Sequence, residues 1–177
     1  AEVVLEKHPW AGIARLRNRD DRQESVLVDG LAAPGANAAL LRMIERRGQV
    51  KGEQGRLSAM ITPALRAVAE AVGTDEQIYI VGAEQSNSSV VFGERMILKL
   101  FRRLQEGINP DLEIGRYLTR KGFAHMPPVL GALEYRVRDE EPATVAVLQG
   151  YVPNQGDAWQ YTLEHLSRYF EHILELH

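Results

Sequence analysis

The clearest pattern of apolar and polar positions lies in the second half of the chain. Apolar, β-branched runs at residues 77–83, 88–92 and 96–101 are typical of three successive strands. Gly93-Glu94 separates the last two runs and predicts a two-residue hairpin turn. The stretch therefore predicts an antiparallel sheet, and its third strand carries a single charged residue, Lys99.

A helix, two further strands and a second helix follow. Asn109-Pro110-Asp111 is a typical helix start, with asparagine as N-cap and proline in the first turn. Residues 129–136 and 143–148 predict strands, and after the connector 151–156, Asp157 caps a long amphipathic helix. Five strands with one helix between the third and the fourth are the pattern of a kinase small lobe, and the last helix would then open the large lobe.

The first 75 residues carry a weaker pattern and are predicted to form a separate α+β unit. The predicted elements are strands at residues 3–5, 25–28 and 56–61, a helix around Ala39–Arg47, and a helix capped by Thr62 with Pro63 at its first position. The pattern of apolar residues changes near residues 74–76, after which apolar, β-branched runs begin, and we place a domain boundary there. Three segments result, at 1–75, 76–152 and 153–177.

Composition and charge restrict the function. The net charge is −3 and the pI is near 6.0, so the chain lacks the basic footprint of a nucleic-acid or anionic-membrane binder. It has no cysteine, and no apolar run approaches the roughly 20 residues that span a bilayer. We therefore expect a cytoplasmic protein that binds neither nucleic acid nor membrane. Because the chain begins at Ala1 and ends inside an apparent helix, we also expect a piece of a longer polypeptide.

Lys99 is the first candidate for chemistry, because a charged group in an apolar strand needs either solvent or an anion. Glu113, in the first turns of the next helix, can be that anion. In a kinase small lobe the strand lysine binds the ATP phosphates and a helix glutamate pairs with the lysine. Alternatively, Lys99 faces solvent at a strand edge and Glu113 is an ordinary carboxylate at a helix start.

Two backbone segments are further candidates for binding a nucleotide. The polar turn before the second strand contains Ser86, Asn87, Ser88 and Ser89, whose hydroxyl and N–H groups could close over phosphates. A plain polar hairpin turn remains the alternative, since no glycine lies between Gly82 and Gly93. The end of the fifth strand contains Gly150, Tyr151 and Val152, whose backbone groups could bind the edge of an adenine base.

These segments together resemble bacterial maltokinases. The matching stretches are 82–93 (GAEQSNSSVVFG), 97–104 (ILKLFRRL), 107–118 (GINPDLEIGRYL) and 127–135 (PPVLGALEY). The resemblance is close over about residues 82–135 and looser over residues 1–75, which look like the N-terminal cap domain of the same family. It implies an α+β fold in which a cystatin-like cap domain precedes a five-stranded antiparallel, kinase-like N-lobe with one helix.

The resemblance also implies an activity, namely phosphorylation of maltose to maltose 1-phosphate with ATP and Mg²⁺. It gives Lys99 and Glu113 the role of positioning phosphates, Ser86–Ser89 that of covering them, and Gly150–Val152 that of meeting adenine. Maltose, ATP and a fused or separate trehalose synthase domain are the expected partners. The family's catalytic and metal-binding residues belong to the large lobe, so we expect no catalytic and no metal-ligating residue in this chain, and no activity from it alone.

Two other interpretations stay open at this stage. The chain could be a non-catalytic module that docks a trehalose synthase domain, with nucleotide binding lost. It could also belong to a kinase of the same fold that acts on another small alcohol, such as an aminoglycoside or choline. Replacing Lys99 by methionine in the full-length protein tests the first alternative, because intact activity would contradict the kinase interpretation. Competition between substrates on the full-length protein tests the second.

Overall fold

A computed structural model describes residues 2–17, 24–33, 35–69, 78–81, 87–154, 156 and 158–175. The strands within these ranges are β1 Gly12–Arg17, β2 Glu24–Val28, β3 Gln49–Lys51, β4 Gly55–Ile61, β5 Ile78–Val81, β6 Asn87–Phe92, β7 Met96–Phe101, β8 Val129–Val137 and β9 Ala143–Gly150. The helices are α1 Glu2–Lys7, α2 Ala36–Glu45, α3 Ala64–Ala69, α4 Pro110–Arg120 and α5 Ala158–Glu175. The fold is therefore a mixed α/β arrangement.

Seven strands form the main sheet, and β1 and β2 form a separate two-stranded sheet. The order in the main sheet is β3-β4-β8-β9-β7-β6-β5, and all neighbours are antiparallel. The five strands predicted from the second half of the sequence are β5–β9, and they are contiguous in this order. The predicted five-stranded sheet had two strands too few. Strand β4 pairs with β8 from Gly55↔Val137 to Ile61↔Gly131, and β3 pairs with β4.

This pairing also bears on the predicted division at residues 74–76. Those boundary residues lie outside the described part of the chain. Strand β4 precedes them and β8 follows them, yet the two strands exchange hydrogen bonds along seven residue pairs. The segments 1–75 and 76–152 therefore share one sheet, whereas their status as separate domains stays a prediction.

The main sheet is buried on both faces, which gives two apolar clusters. One face packs against α2 and α3, and its cluster includes Ile44, Val90, Leu98, Leu133 and Leu148. The other face packs against α4, and its cluster is Leu112, Val129, Ala132 and Val147, with Met60, Phe101 and Met126 at its margin. We call this second surface the α4 face. Successive residues of one strand point to opposite faces, so Leu100 of β7 packs in the first cluster and Phe101 in the second.

Helix α4 is fixed to the sheet at several points. The Asn109 side chain accepts a hydrogen bond from the Asp111 N–H at 2.9 Å, which confirms the predicted N-cap. The Asn109 N–H donates to the buried Thr144 hydroxyl of β9 at 3.0 Å. Further along, the Thr119 hydroxyl accepts from the Val129 N–H at 2.8 Å, next to a close approach of Gly115 to Val129. These contacts hold one side of the helix against β8 and β9.

Some local predictions were wrong for identifiable reasons. Residues 3–5 lie in α1 rather than in a strand, because three consecutive apolar residues fit either element. The Thr62 hydroxyl does not cap α3 but donates to the Val129 carbonyl at 2.6 Å. The loop after Phe92 has three residues instead of two, since Phe92 pairs with Met96 while Gly93 and Glu94 both adopt positive φ.

The C-terminal helix α5 is exposed along its whole described length, and its predicted cap, Asp157, lies outside the described residues. Its large apolar side chains are nevertheless numerous, among them Trp159, Phe170 and Leu174, the last being 77% exposed. No helix in the described part of the chain has the length and apolar character needed to cross a membrane.

Candidate functional site

The pairing of the strands places Lys99 on the α4 face of the sheet. Lys99 of β7 is paired with Ser89 of β6 on one side and with Val147 of β9 on the other. Paired residues of antiparallel strands share a face. Since Val147 packs against Leu112 in the cluster under α4, Lys99 and Ser89 lie on the same side of the sheet as that helix.

The adjacent row of paired residues on this face is mainly apolar. It contains Tyr79 of β5, Val91 of β6, Ile97 of β7 and Gln149 of β9. Val91 is fully buried and Ile97 is partly buried. Residues two apart in a strand are separated by about 7 Å. The distance between this apolar row and the row of Lys99 is therefore shorter than a nucleotide.

Ser89 has an unusual environment beside Lys99. Its side chain is 1% exposed, and its Oγ has no hydrogen-bond partner among the described residues. A buried hydroxyl without a partner costs free energy, on the order of 1–3 kcal/mol in proteins. The cross-strand partner of Ser89 is Lys99, so a hydroxyl without a partner among the described residues and a basic side chain belong to paired residues of one face.

The other residues of the predicted polar turn are placed differently. Ser86 lies outside the described residues, and Asn87 begins β6, so the described part of the turn is strand. Ser88 pairs with Leu100 and points to the opposite face from Lys99, where its hydroxyl accepts a hydrogen bond from the Arg102 Nε at 3.1 Å. In this conformation Asn87 and Ser89 share the α4 face with Lys99, and Ser88 does not.

Glu113 is exposed on α4 and is not brought to Lys99. No ion pair within 4.0 Å joins the two side chains in the described part of the chain. Instead, Glu113 lines a groove with Met60 and Ile61 of β4, on the side of α4 away from β7. Leu112, the preceding residue, occupies the position that faces the sheet. The Lys99–Glu113 pair therefore stays a prediction that requires a different position of the Glu113 side chain or of α4.

Two backbone N–H groups of the segment Gly150–Val152 already donate hydrogen bonds within the protein. The Gly150 N–H donates to the Pro128 carbonyl at 2.9 Å, and the Tyr151 N–H donates to the Arg95 carbonyl at 2.7 Å. These two N–H groups are thus used within the protein. An adenine base would have to meet other backbone groups of the segment, such as the Tyr151 carbonyl or the Val152 N–H, and this contact stays a prediction.

Tyr79 and Tyr151 connect the outermost strand of the sheet to the end of β9. The pKa of Tyr79 is raised above its usual value. The largest cause is a hydrogen bond with the Tyr151 side chain, and desolvation is the second. Tyr79 belongs to the apolar row with Val91 and Ile97, so the tyrosine pair lies at the end of that row. Sequence reasoning did not include Tyr79, Val91 or Ile97 in the site. Val91 and Ile97 are two residues from Ser89 and Lys99 in the same strands, which was the available signal in the sequence. Only the register of the strands shows that Tyr79 shares their face.

Metal ligands were not expected in this chain. In the residues that the structure describes, no three or more His, Cys, Asp or Glu side chains come together in a group that could hold a metal ion.

Comparison with known proteins relates the chain to a curated kinase at low identity. No protein-family model matches the chain. The chain is 28% identical over 83 residues to the glucosamine kinase of Mycolicibacterium smegmatis, a match that covers 47% of this chain and 21% of that protein. The chain thus spans about a fifth of the curated relative. The match relates it, at low identity, to a kinase of the sugar-phosphorylating class.

Two solved structures are also similar. One is a glucosamine kinase in complex with glucosamine, ADP and inorganic phosphate, with a TM-score of 0.39 and 20% identity over 66% of this chain and 35% of that chain. The other is a second crystal form of glucosamine kinase, form B, with a TM-score of 0.37 and 18% identity over 75% of this chain and 41% of that chain.

Proposed function

We propose that this chain is the ATP-binding part of a sugar kinase, and that the nucleotide lies on the α4 face of the main sheet. The observation that carries the proposal is the pairing of Ser89 with Lys99, which puts a basic residue beside a buried serine whose hydroxyl has no partner in the described ranges. The apolar row of Tyr79, Val91 and Ile97 beside it suits the base. The maltokinase-like sequence and the curated sugar-kinase relative both support this assignment.

The chemical role of such a face is charge neutralisation and positioning. In phosphoryl transfer the transition state spreads negative charge over the transferred group, and catalysis comes mainly from oriented cations and hydrogen-bond donors. Lys99 would bind the ATP phosphates, and Ser89 would donate its hydroxyl to a phosphate oxygen. Tyr151 and Val152 would hold the base through backbone groups. Glu113 would orient Lys99 after its side chain turns from the groove toward β7.

Two requirements of the reaction are assigned to residues beyond this chain. Mg²⁺ supplies further neutralisation of the phosphates, and its ligands, like the catalytic base, are proposed to lie in a large lobe. Helix α5 supports that division, because its apolar side chains are exposed here and would be buried by such a lobe. The chain by itself is then expected to lack phosphotransferase activity, and a cytoplasmic location is proposed with it.

Two sugars are candidates for the substrate that is phosphorylated. Sequence resemblance favours maltose, with maltose 1-phosphate as product and a trehalose synthase domain as a partner. A second candidate is glucosamine, which is the substrate named for the curated relative. Both are sugars with a reactive alcohol, so the same ATP-binding surface would serve either substrate.

The substrate is tested by ATP-dependent phosphorylation with the full-length protein that contains this chain. We expect maltose, glucosamine, an aminoglycoside and choline to differ in kcat/KM by more than about tenfold, a difference of about 1.4 kcal/mol, with one of the two sugars preferred. Coupled ADP release and mass spectrometry of the product measure the preference. Phosphorylation of none of the four would favour the non-catalytic docking module and would contradict the kinase assignment.

A further inference from the structure

A groove lies on the side of α4 away from Lys99, at the β4 end of the α4 face. Its volume is about 970 Å³, within the usual range of small-molecule sites. One wall is the outer side of α4, and the other is formed by the end of β4 and the start of α3, including Pro63 and Ala64. The groove thus lies between the parts of the sheet contributed by residues 1–75 and by the segment that follows.

The α4 wall presents an apolar surface with cations. Ile114 and Tyr117 are 56% and 51% exposed, so the helix leaves a large amount of apolar area uncovered here. Glu113, Arg116 and Arg120 also line the groove, which gives two positive groups against one negative group.

The two arginines are not equally available. The Arg120 guanidinium lies 5.7 Å from the centre of the Tyr117 ring, a cation–π contact. Arg116 makes no ion pair, hydrogen bond or ring contact with any residue in the described ranges. The nearby threonines do not add free donors, because the hydroxyls of Thr62 and Thr119 donate to the carbonyls of Val129 and Gly115. The groove is therefore apolar on its walls and cationic at Arg116.

We propose that this groove is a second ligand site, for a small amphipathic anion that has an apolar body and one carboxylate, sulfonate or phosphate group. The apolar body would cover Ile114 and Tyr117, and the anionic group would pair with Arg116. Neither Lys99 nor Ser89 lines the groove, whose sheet residues come from β4 and not from β6 or β7. The site is thus distinct from the proposed nucleotide site and does not depend on the kinase assignment.

A fluorescent apolar sulfonate, 8-anilinonaphthalene-1-sulfonate, is a suitable probe, titrated into the folded full-length protein that contains this chain. We expect saturable binding that Arg116→Glu weakens about tenfold, because the substitution replaces attraction by repulsion. Arg116→Lys should keep most of the affinity. Ile114→Asn should weaken binding about fivefold by removing apolar contact. Both positions are on the exposed side of α4, so circular dichroism should show an intact fold.

Controls make the experiment specific to the groove. Ile13→Asn, the same kind of replacement on the exposed strand β1, should leave the affinity unchanged, and so should excess ATP. The proposal is overturned if the probe does not saturate, if Arg116→Glu and Ile114→Asn bind like the unaltered protein, or if Ile13→Asn or ATP removes the signal. Displacement by ATP would assign the probe to the nucleotide face instead.

Discussion

Replacing Lys99 by methionine should lower kcat/KM for ATP-dependent sugar phosphorylation by the full-length protein at least about 100-fold. Removal of one preorganised charge or donor at a developing negative charge typically costs 10²–10³ in rate, roughly 3–4 kcal/mol. Methionine keeps the length and apolar stem of the lysine side chain, so its contacts within β7 should persist. Steady-state kinetics with ATP and the preferred sugar measure the effect.

The matched control is Lys51→Met, which makes the same replacement on the exposed strand β3 at the opposite end of the sheet. This variant should retain activity within about twofold, as expected for a surface site. Equal activity of the two variants would show that Lys99 does not act on phosphates. A loss in Lys99→Met accompanied by unfolding would be recognised by circular dichroism and would call for Lys99→Arg.

Gly131→Ala should lower the free energy of unfolding by about 3 kcal/mol, the upper end of the range for overpacked cores. Gly131 of β8 pairs with Ile61 of β4 under helix α2. A Cβ atom there would lie 2.5 Å from Ile44 Cγ2 and 2.7 Å from the Met60 carbonyl oxygen. The side chain could shift, but the carbonyl belongs to a paired strand and cannot move without disturbing the sheet. Urea-induced unfolding measures the change.

Gly30→Ala provides the control for this experiment. A Cβ atom at Gly30 would have no heavy atom within 4 Å, and the residue lies in the short 3₁₀ segment Gly30–Ala32. Its unfolding free energy should change by less than about 0.5 kcal/mol. If Gly131→Ala proved as neutral as Gly30→Ala, the close packing of α2 and β4 on β8 would be wrong, and with it the seven-stranded sheet.

Local patterns in the sequence predicted the second half of the fold well. Strand β7 has the predicted bounds, and β6, β8 and β9 differ from them by one or two residues at an end. The cap of α4 was also predicted, because an Asn-Pro-Asp start is determined by local chemistry. Such features depend on residues a few positions apart, so a single sequence contains them.

Features that depend on distant residues were missed or were only partly predicted. The pairing of β4 with β8 joins residues at least 70 positions apart, and no local pattern predicts it. The same limit applies to the site. The sequence indicated Lys99 as a charged residue in an apolar strand, but the register was needed to separate Ser89 from Ser88 and to add Tyr79 and Ile97. Position along α4 alone could not show that Glu113 lines a groove away from Lys99.

Photo-cross-linking of 8-azido-ATP to the full-length protein, followed by peptide mapping, tests the nucleotide site on the α4 face most directly. We expect labelling of peptides from β5, β6, β7 or the segment Gly150–Val152 that excess ATP suppresses and that Lys99→Met reduces. Labelling confined to other peptides, or labelling in these peptides that excess ATP does not suppress, would contradict a nucleotide site on the α4 face.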